Sequence, residues 1–311
     1  MESLIRLKGF LDWCVYLLVR IVICWLQMIS LESCVDLSKG LSFLMWRVLR
    51  FRRTVIEENL LHAFPQASDL DRARIGRGMW EHLIVMVCES ARAERKIHDT
   101  NYRNFFTFRD QPQLLNSMLD PRPLILVTGH YGNFELGGFV LGLLGFPTYT
   151  IARPLDNRFL NDYVNRFRQI KGQYILSKDG SAQMVNQLLE RGEKLGILGD
   201  QHAGSRGCWV EFMGRPASCH KALALFTLSS GAPQMVLYNR RSQQPMQFEV
   251  GCSGKVDPAD LPDSLNDIQA LTQWYNQRME QVIRETPDQY WWVHRRWKGK
   301  PRSSRARRQA A

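Results

Sequence analysis

The sequence lacks the features that mark many binding modules and hydrolases. Its seven cysteines are odd in number and scattered, with no C-x-x-C pair, which argues against a disulfide framework or zinc site and for reduced thiols in a cytosol-facing protein. A G-x-S-x-G nucleophile elbow is missing, which disfavours a thioesterase or esterase of that type. No helix-turn-helix, zinc-finger or RNP signature is present, which weighs against nucleic acid as a partner. His202, His220 and His294 lack metal-ligand spacing and read as structural, so no metal is expected. There is no internal repeat, and no small-residue cleavage site follows the apolar N-terminal stretch, which disfavours a removable signal peptide.

What is present is a chain of 311 residues, 45% apolar, enough for one large domain or two small ones. Its net charge of +11 and pI near 9.5 favour an acidic partner: nucleic acid, an anionic membrane face, or an acidic or phosphorylated molecule. Residues 10–29 form the most apolar segment, about the length of a transmembrane helix, and carry Trp13, Tyr16 and Trp25. Asp12 and Arg20 interrupt it, and a mid-segment arginine costs roughly 2.5–3.5 kcal/mol on insertion scales. Crossing the membrane and lying in its interface both fit, and a buried helix of a soluble protein passes the same test.

The first third otherwise reads as helices, with one stopped by Pro65 and a second running from Asp69 towards Glu94. The middle third alternates short apolar runs with amphipathic segments, which argues for an α/β sheet with crossover helices. A helix is expected within 216–230, late strands at 234–238 and 247–251, and a long helix over 268–286. Residues 123–145, PLILVTGHYGNFELGGFVLGLLG, carry the chemistry. An apolar run reads as a buried strand, a polar knot follows, and Asn133 is placed to cap the helix after it. Ligands of open α/β sheets bind at such strand-to-helix junctions.

His130 is suited to take a proton from a hydroxyl near neutral pH once its tautomer is fixed, and Glu135, five residues on, is a carboxylate able to fix it. As a bare pattern H-x-x-x-x-E is common. A histidine satisfied within a loop and a glutamate that only caps its helix are the plain alternatives. The Gly-spaced run 136–144 is either ordinary core or the wall of an acyl pocket.

Further segments, RRTVIEENLLHAFP, TGHYGNFELGG, ARPLDNRFL, FRQIKG, GILGDQ with VEFMGRPAS, and QYWWVHRRWKGKP, taken in order, resemble the bacterial lipid A biosynthesis acyltransferase family, the lauroyl and myristoyl transferases. The resemblance implies a glycerolphosphate-acyltransferase-like α/β fold, a mixed sheet flanked by helices behind a membrane-associated N-terminal helix. It also implies an O-acyltransferase of lipopolysaccharide biosynthesis at the cytoplasmic face of the inner membrane. The acyl chain would come from acyl-carrier protein or coenzyme A as co-substrate, with no other cofactor, and go to a membrane glycolipid, a lipid A precursor. By the same resemblance His130 is the general base and Glu135 its orienting partner. Arg168 binds acceptor phosphate or the oxyanion, and Arg153, Asp200, Gln201 and Asn133 shape the substrate pocket. Residues 1–35 are expected as the anchor, 36–298 as the acyltransferase domain and 299–311 as a basic tail. The rivals are acyl transfer to another glycolipid or phospholipid, and a non-catalytic basic protein that binds membrane or nucleic acid.

Overall fold

The computed structural model describes residues 2–177 and 181–301. The end of the expected basic tail, residues 302–311, lies outside them. The chain opens with four helices: α1 (Glu2–Met28), α2 (Leu31–Phe43), α3 (Arg53–Ala63) and α4 (Asp69–Lys96). Ser30 caps α2 and Ser68 caps α4, each hydroxyl accepting from a backbone N–H three residues on. The first helix ends at Met28, so the boundary expected at residue 35 falls inside α2.

Leu7–Met28 is the one helix among the described residues long and apolar enough to cross a membrane, with a mean hydropathy of 1.8. Arg20, one of its two polar interruptions, faces the protein. The Arg20 guanidinium donates to the Tyr16 hydroxyl and lies 4.7 Å from the Tyr163 ring centre, and the Asp12 carbonyl accepts from Asn157. Phe10, Leu18 and Ile21 point outward. The arginine that counts against insertion is thus packed on the domain rather than turned to lipid.

The α/β body runs β1 (Phe106–Phe108), α5 (Gln111–Leu119), β2 (Leu124–Thr128), α6 (Glu135–Leu143), β3 (Thr148–Ala152), α7 (Arg158–Gln169), β4 (Gln173–Ser177), α8 (Ser181–Glu190) and β5 (Lys194–Leu198). There follow β6 (Cys208–Phe212), β7 (Arg215–Cys219), α9 (Ala222–Ser230), β8 (Gln234–Arg241), β9 (Phe248–Val256) and α10 (Ile268–Glu285). Seven strands form one mixed sheet in the order β1-β9-β8-β2-β5-β3-β4, with only β8 and β9 antiparallel. β2 lies at its centre and is buried on both faces. Ile125 and Val127 join one hydrophobic cluster and Leu124 and Leu126 the other, as the two-residue period of a strand requires.

The helix expected within 216–230 needs correction. Its first residues are β7, which pairs antiparallel with β6. Met213 and Gly214 both take positive φ between them, the twist that closes a two-residue hairpin, and α9 starts only at Ala222.

Candidate active site

β2 and β5 are parallel neighbours, so the residues that follow them emerge at one edge of the sheet. That places His130 beside Asp200 across seventy residues of sequence. The Asp200 carboxylate accepts twice: from His130 Nδ1 at 2.9 Å and from the His130 backbone N–H at 2.8 Å. Gly129 makes the approach feasible, because a Cβ there would come within 3.1 Å of Asp200 Cγ. With its proton on Nδ1, the imidazole presents an unprotonated Nε2, which accepts a long hydrogen bond of 3.4 Å from the Gln201 amide nitrogen.

His130 is 15% exposed and Asp200 3%. Burial by itself would lower the imidazole pKa. The charge and hydrogen bond of Asp200, helped by the charge of Glu135, outweigh it and hold His130 above its ordinary value. Burial conversely pushes Asp200 up, but the charge of His130 and the two hydrogen bonds win and hold it down to about 2. Asp200 is therefore ionised throughout the working range. A base must be unprotonated to act, so kcat/KM is expected to rise with pH through a midpoint above the ordinary imidazole value of about 6.5 and then level off. A pH profile of the purified enzyme checks this, and a midpoint below that value contradicts it.

The ring is also held sterically. Phe134 packs edge-on against it at 5.0 Å and Trp291 at 4.8 Å, the two stacking on each other. The Trp291 N–H donates to the His130 carbonyl, and Tyr131 and Tyr290 form a β-bridge.

Glu135 is not on the imidazole. It opens α6, and both its oxygens are taken by Arg168 of α7, at 3.0 Å from Nε and 2.7 Å from Nη2. It acts on His130 through its charge alone. Asn133 is neither the helix cap nor open to solvent: Phe134 holds the cap position, and Asn133 is fully buried. Its amide donates to Glu89, its N–H donates to the Asn239 carbonyl, and its own carbonyl accepts from the Asn239 side chain. Arg153 is 79% exposed and pairs with Asp156. Gly132, at φ +59°, is obligatory, since a Cβ there would meet the Asn239 carbonyl oxygen at 2.1 Å.

The sequence reading missed the cluster behind this turn. Glu89 on α4 is fully buried and accepts from Arg241 Nε (2.6 Å) and Nη2 (2.8 Å), from Asn133 and from the Met246 N–H. His82 lies between the Arg241 guanidinium and the Gly132 carbonyl, and burial with the arginine's charge holds its pKa down to about 3, so it is neutral. A carboxylate on the same α4 face as Val85, Met86, Cys88 and Ala93 was the available signal, because a charge at a core position needs a partner.

Two cavities flank the turn that carries His130. A narrow apolar slot of ≈ 70 Å³ runs beneath α6, lined by Phe134, Gly138, Leu141, Leu126, Leu198 and Leu237 among others. A wider cavity of ≈ 430 Å³ is lined by Glu135, Arg168, Arg153 and Asn161, with Leu155 and Val164 among its apolar residues. Phe134, packed on the His130 ring, thus lines an apolar recess, and its neighbour Glu135 lines an arginine-bearing one.

Residues 3–299 match the family described as bacterial lipid A biosynthesis acyltransferase. The chain is 24% identical over 255 residues to the lipid A biosynthesis palmitoleoyltransferase of Escherichia coli (strain K12), covering 81% of each. It is 22% identical over 271 residues to the lipid A biosynthesis lauroyltransferase of the same organism, covering 85% of each. Among solved structures, the 1-acyl-sn-glycerophosphate acyltransferase of Thermotoga maritima overlays with a TM-score of 0.37 at 12% identity, over 82% of this chain and 97% of that one. That overlay is too loose to carry an argument.

Proposed function

The chain belongs to the bacterial lipid A biosynthesis acyltransferase family and is an acyltransferase, and from that premise we propose that it moves a fatty acyl chain from a thioester to a hydroxyl of a lipid A precursor. The observation that carries this is the unprotonated Nε2 of a histidine held by Asp200, on whose ring packs Phe134, a wall of the apolar slot. The acceptor hydroxyl gives its proton to His130 Nε2 as its oxygen attacks the thioester carbonyl. The tetrahedral oxyanion collapses, expels the thiolate and forms the ester, and His130 returns the proton to the sulfur. Asp200 keeps the tautomer and stabilises the imidazolium, and the Gln201 amide is close enough to donate to the oxyanion. No acyl-enzyme is needed. The donor is acyl-carrier protein or coenzyme A, and no further cofactor takes part.

The acyl chain enters the slot under α6. It needs more room than the ≈ 70 Å³ open there, so helix and sheet part slightly as it enters. The acceptor's polar head occupies the cavity bearing Arg153 and Arg168. Glu135 holds the Arg168 guanidinium in a bidentate pair, which fixes its plane for an acceptor phosphate. α1 sits in the inner membrane with the site on the cytoplasmic side. The exposed Val48, Leu49 and Phe51, with Arg50 and Arg52 among them, add a contact suited to an anionic lipid face.

The test is a purified, detergent-solubilised enzyme given acyl-coenzyme A or acyl-carrier protein and a lipid A precursor, with the acceptor's mass as readout. Addition of one acyl group is expected. Thioester hydrolysis with no acylated acceptor would sink the reading. Arg168→Lys keeps the charge and loses the two-point fit, so it is expected to raise KM for the acceptor about tenfold while KM for the donor stays within about twofold. Equal rises in both would contradict the assignment of that cavity to the acceptor.

A further inference from the structure

The slot beneath α6 is apolar along its sides and polar at its far end. Strand register gives its direction. Thr128 and Leu198, at the C-terminal ends of β2 and β5, lie beside the His130 loop, and Leu126, Gly196 and Thr150 come one step deeper. Thr148 and Gln173, paired at the starts of β3 and β4, are deepest. At about 3.3 Å per residue the Gln173 end is roughly 13 Å below the mouth.

Gln173 closes that end. Its Nε2 donates to Thr150 Oγ1 at 3.1 Å, which draws the amide across the slot from β4 towards β3. Its other side meets α6 where there is no side chain, since a Cβ on Gly138 would lie 2.3 Å from Gln173 Cδ. The Gln173 Oε1 atom is buried and has no hydrogen-bond partner among the described residues. An unpaired amide oxygen at the closed end of an apolar recess is a poor surface for a methyl terminus, because a hydrocarbon offers it no proton and removes it further from water.

We propose that Gln173 is the stop that sets acyl chain length, a proposal that rests on the acyl-transfer reading above. A chain that ends short of the amide packs only against apolar walls. One that is longer must push the amide aside, break its bond to Thr150 and press carbon against Oε1. Such a site discriminates by about 10–200-fold for each methylene out of place.

The test is a competition among straight-chain acyl thioesters of even length, from octanoyl to stearoyl, supplied on coenzyme A and on acyl-carrier protein, with a lipid A precursor as acceptor and product masses as readout. In Gln173→Ala the kcat/KM ratio of a donor two carbons longer to the wild type's preferred donor is expected to rise at least about tenfold. In Gly138→Ala the added methyl drives the amide into the slot, and the preference is expected to move to shorter donors. Gln173→Leu fills part of the space but removes the bond to Thr150 and the unpaired oxygen, so it is expected to move the preference in the same direction as Gln173→Ala and by less. A folded Gln173→Ala with the wild-type profile overturns the stop. If that variant does not fold, an unchanged profile in Gly138→Ala overturns it equally. A wild type that transfers no acyl group from any donor overturns the acyl-transfer reading itself, whereas an active wild type with insensitive variants overturns the stop alone.

Discussion

Asp200→Asn is expected to lower kcat for acyl transfer by about 10³–10⁴-fold while the protein folds and binds its substrates. The size follows from two hydrogen bonds. The carboxylate accepts from His130 Nδ1 and from the His130 backbone N–H, so it fixes both ring and loop and selects the tautomer whose base is Nε2. Asparagine keeps the shape and can still accept once. Its amide then faces Nδ1 and favours the opposite tautomer, which puts the proton where the acceptor's proton must go; the comparable exchange in a serine protease triad costs ~10⁴. His130→Ala is expected to cost as much, and the double variant no more than the worse single one, because the two act as a unit. Multiplying losses in the double variant would mean that Asp200 works independently of His130. Glu135→Ala should act differently. It releases Arg168 and removes one charge near the imidazole, so its main effect should fall on the acceptor's KM.

Glu89→Ala is expected to cost about 3–5 kcal/mol of stability, the range for breaking a buried ion pair and leaving its partner charged in the core. At ~2–4 °C per kcal/mol for a domain of this size, melting should fall by ~10 °C, as thermal unfolding of the purified protein would show. Arg241→Met should do the same, since it strands Glu89 at zero exposure, and the double variant should lose less than the sum. The loss should also reach activity. Glu89 holds Asn133, and Arg241 holds His82, whose other ring nitrogen meets the Gly132 carbonyl. A loss of activity at temperatures well below melting is therefore expected. A Glu89→Ala protein that melts like the wild type would show that the cluster does not hold the fold.

The strand, polar turn and helix around His130 were legible in sequence because they are local: an apolar run, two glycines and a second apolar run state their order directly. The carboxylate on His130 was not legible. Glu135 attracts attention by lying five residues away, but in the first turn of α6 it faces α7, where Arg168 waits. Asp200 reaches His130 only because β5 lies beside β2, a fact of sheet order that spacing along the chain does not contain. The β6–β7 hairpin was missed for a related reason. Its turn puts Met213, a residue with no turn preference, in the left-handed region, so only Gly214 signals it. Asn133 reads as a cap by type and position, yet the buried carboxylate of Glu89 claims its side chain.

The segment that closes over His130 bears on how the protein is made. Trp291 clamps the loop carbonyl and packs at a tilt against the ring, while the carbonyls of Trp292 and His294 are tied to Asn59 in the first helical third. Synthesis delivers the N-terminal third first, and α1 is available to the bilayer long before residue 291 leaves the ribosome. The site is therefore assembled last, around a body already made. A nascent chain stalled before Trp291 would carry its histidine, its aspartate and its apolar N-terminal helix, and still have no clamp on the base.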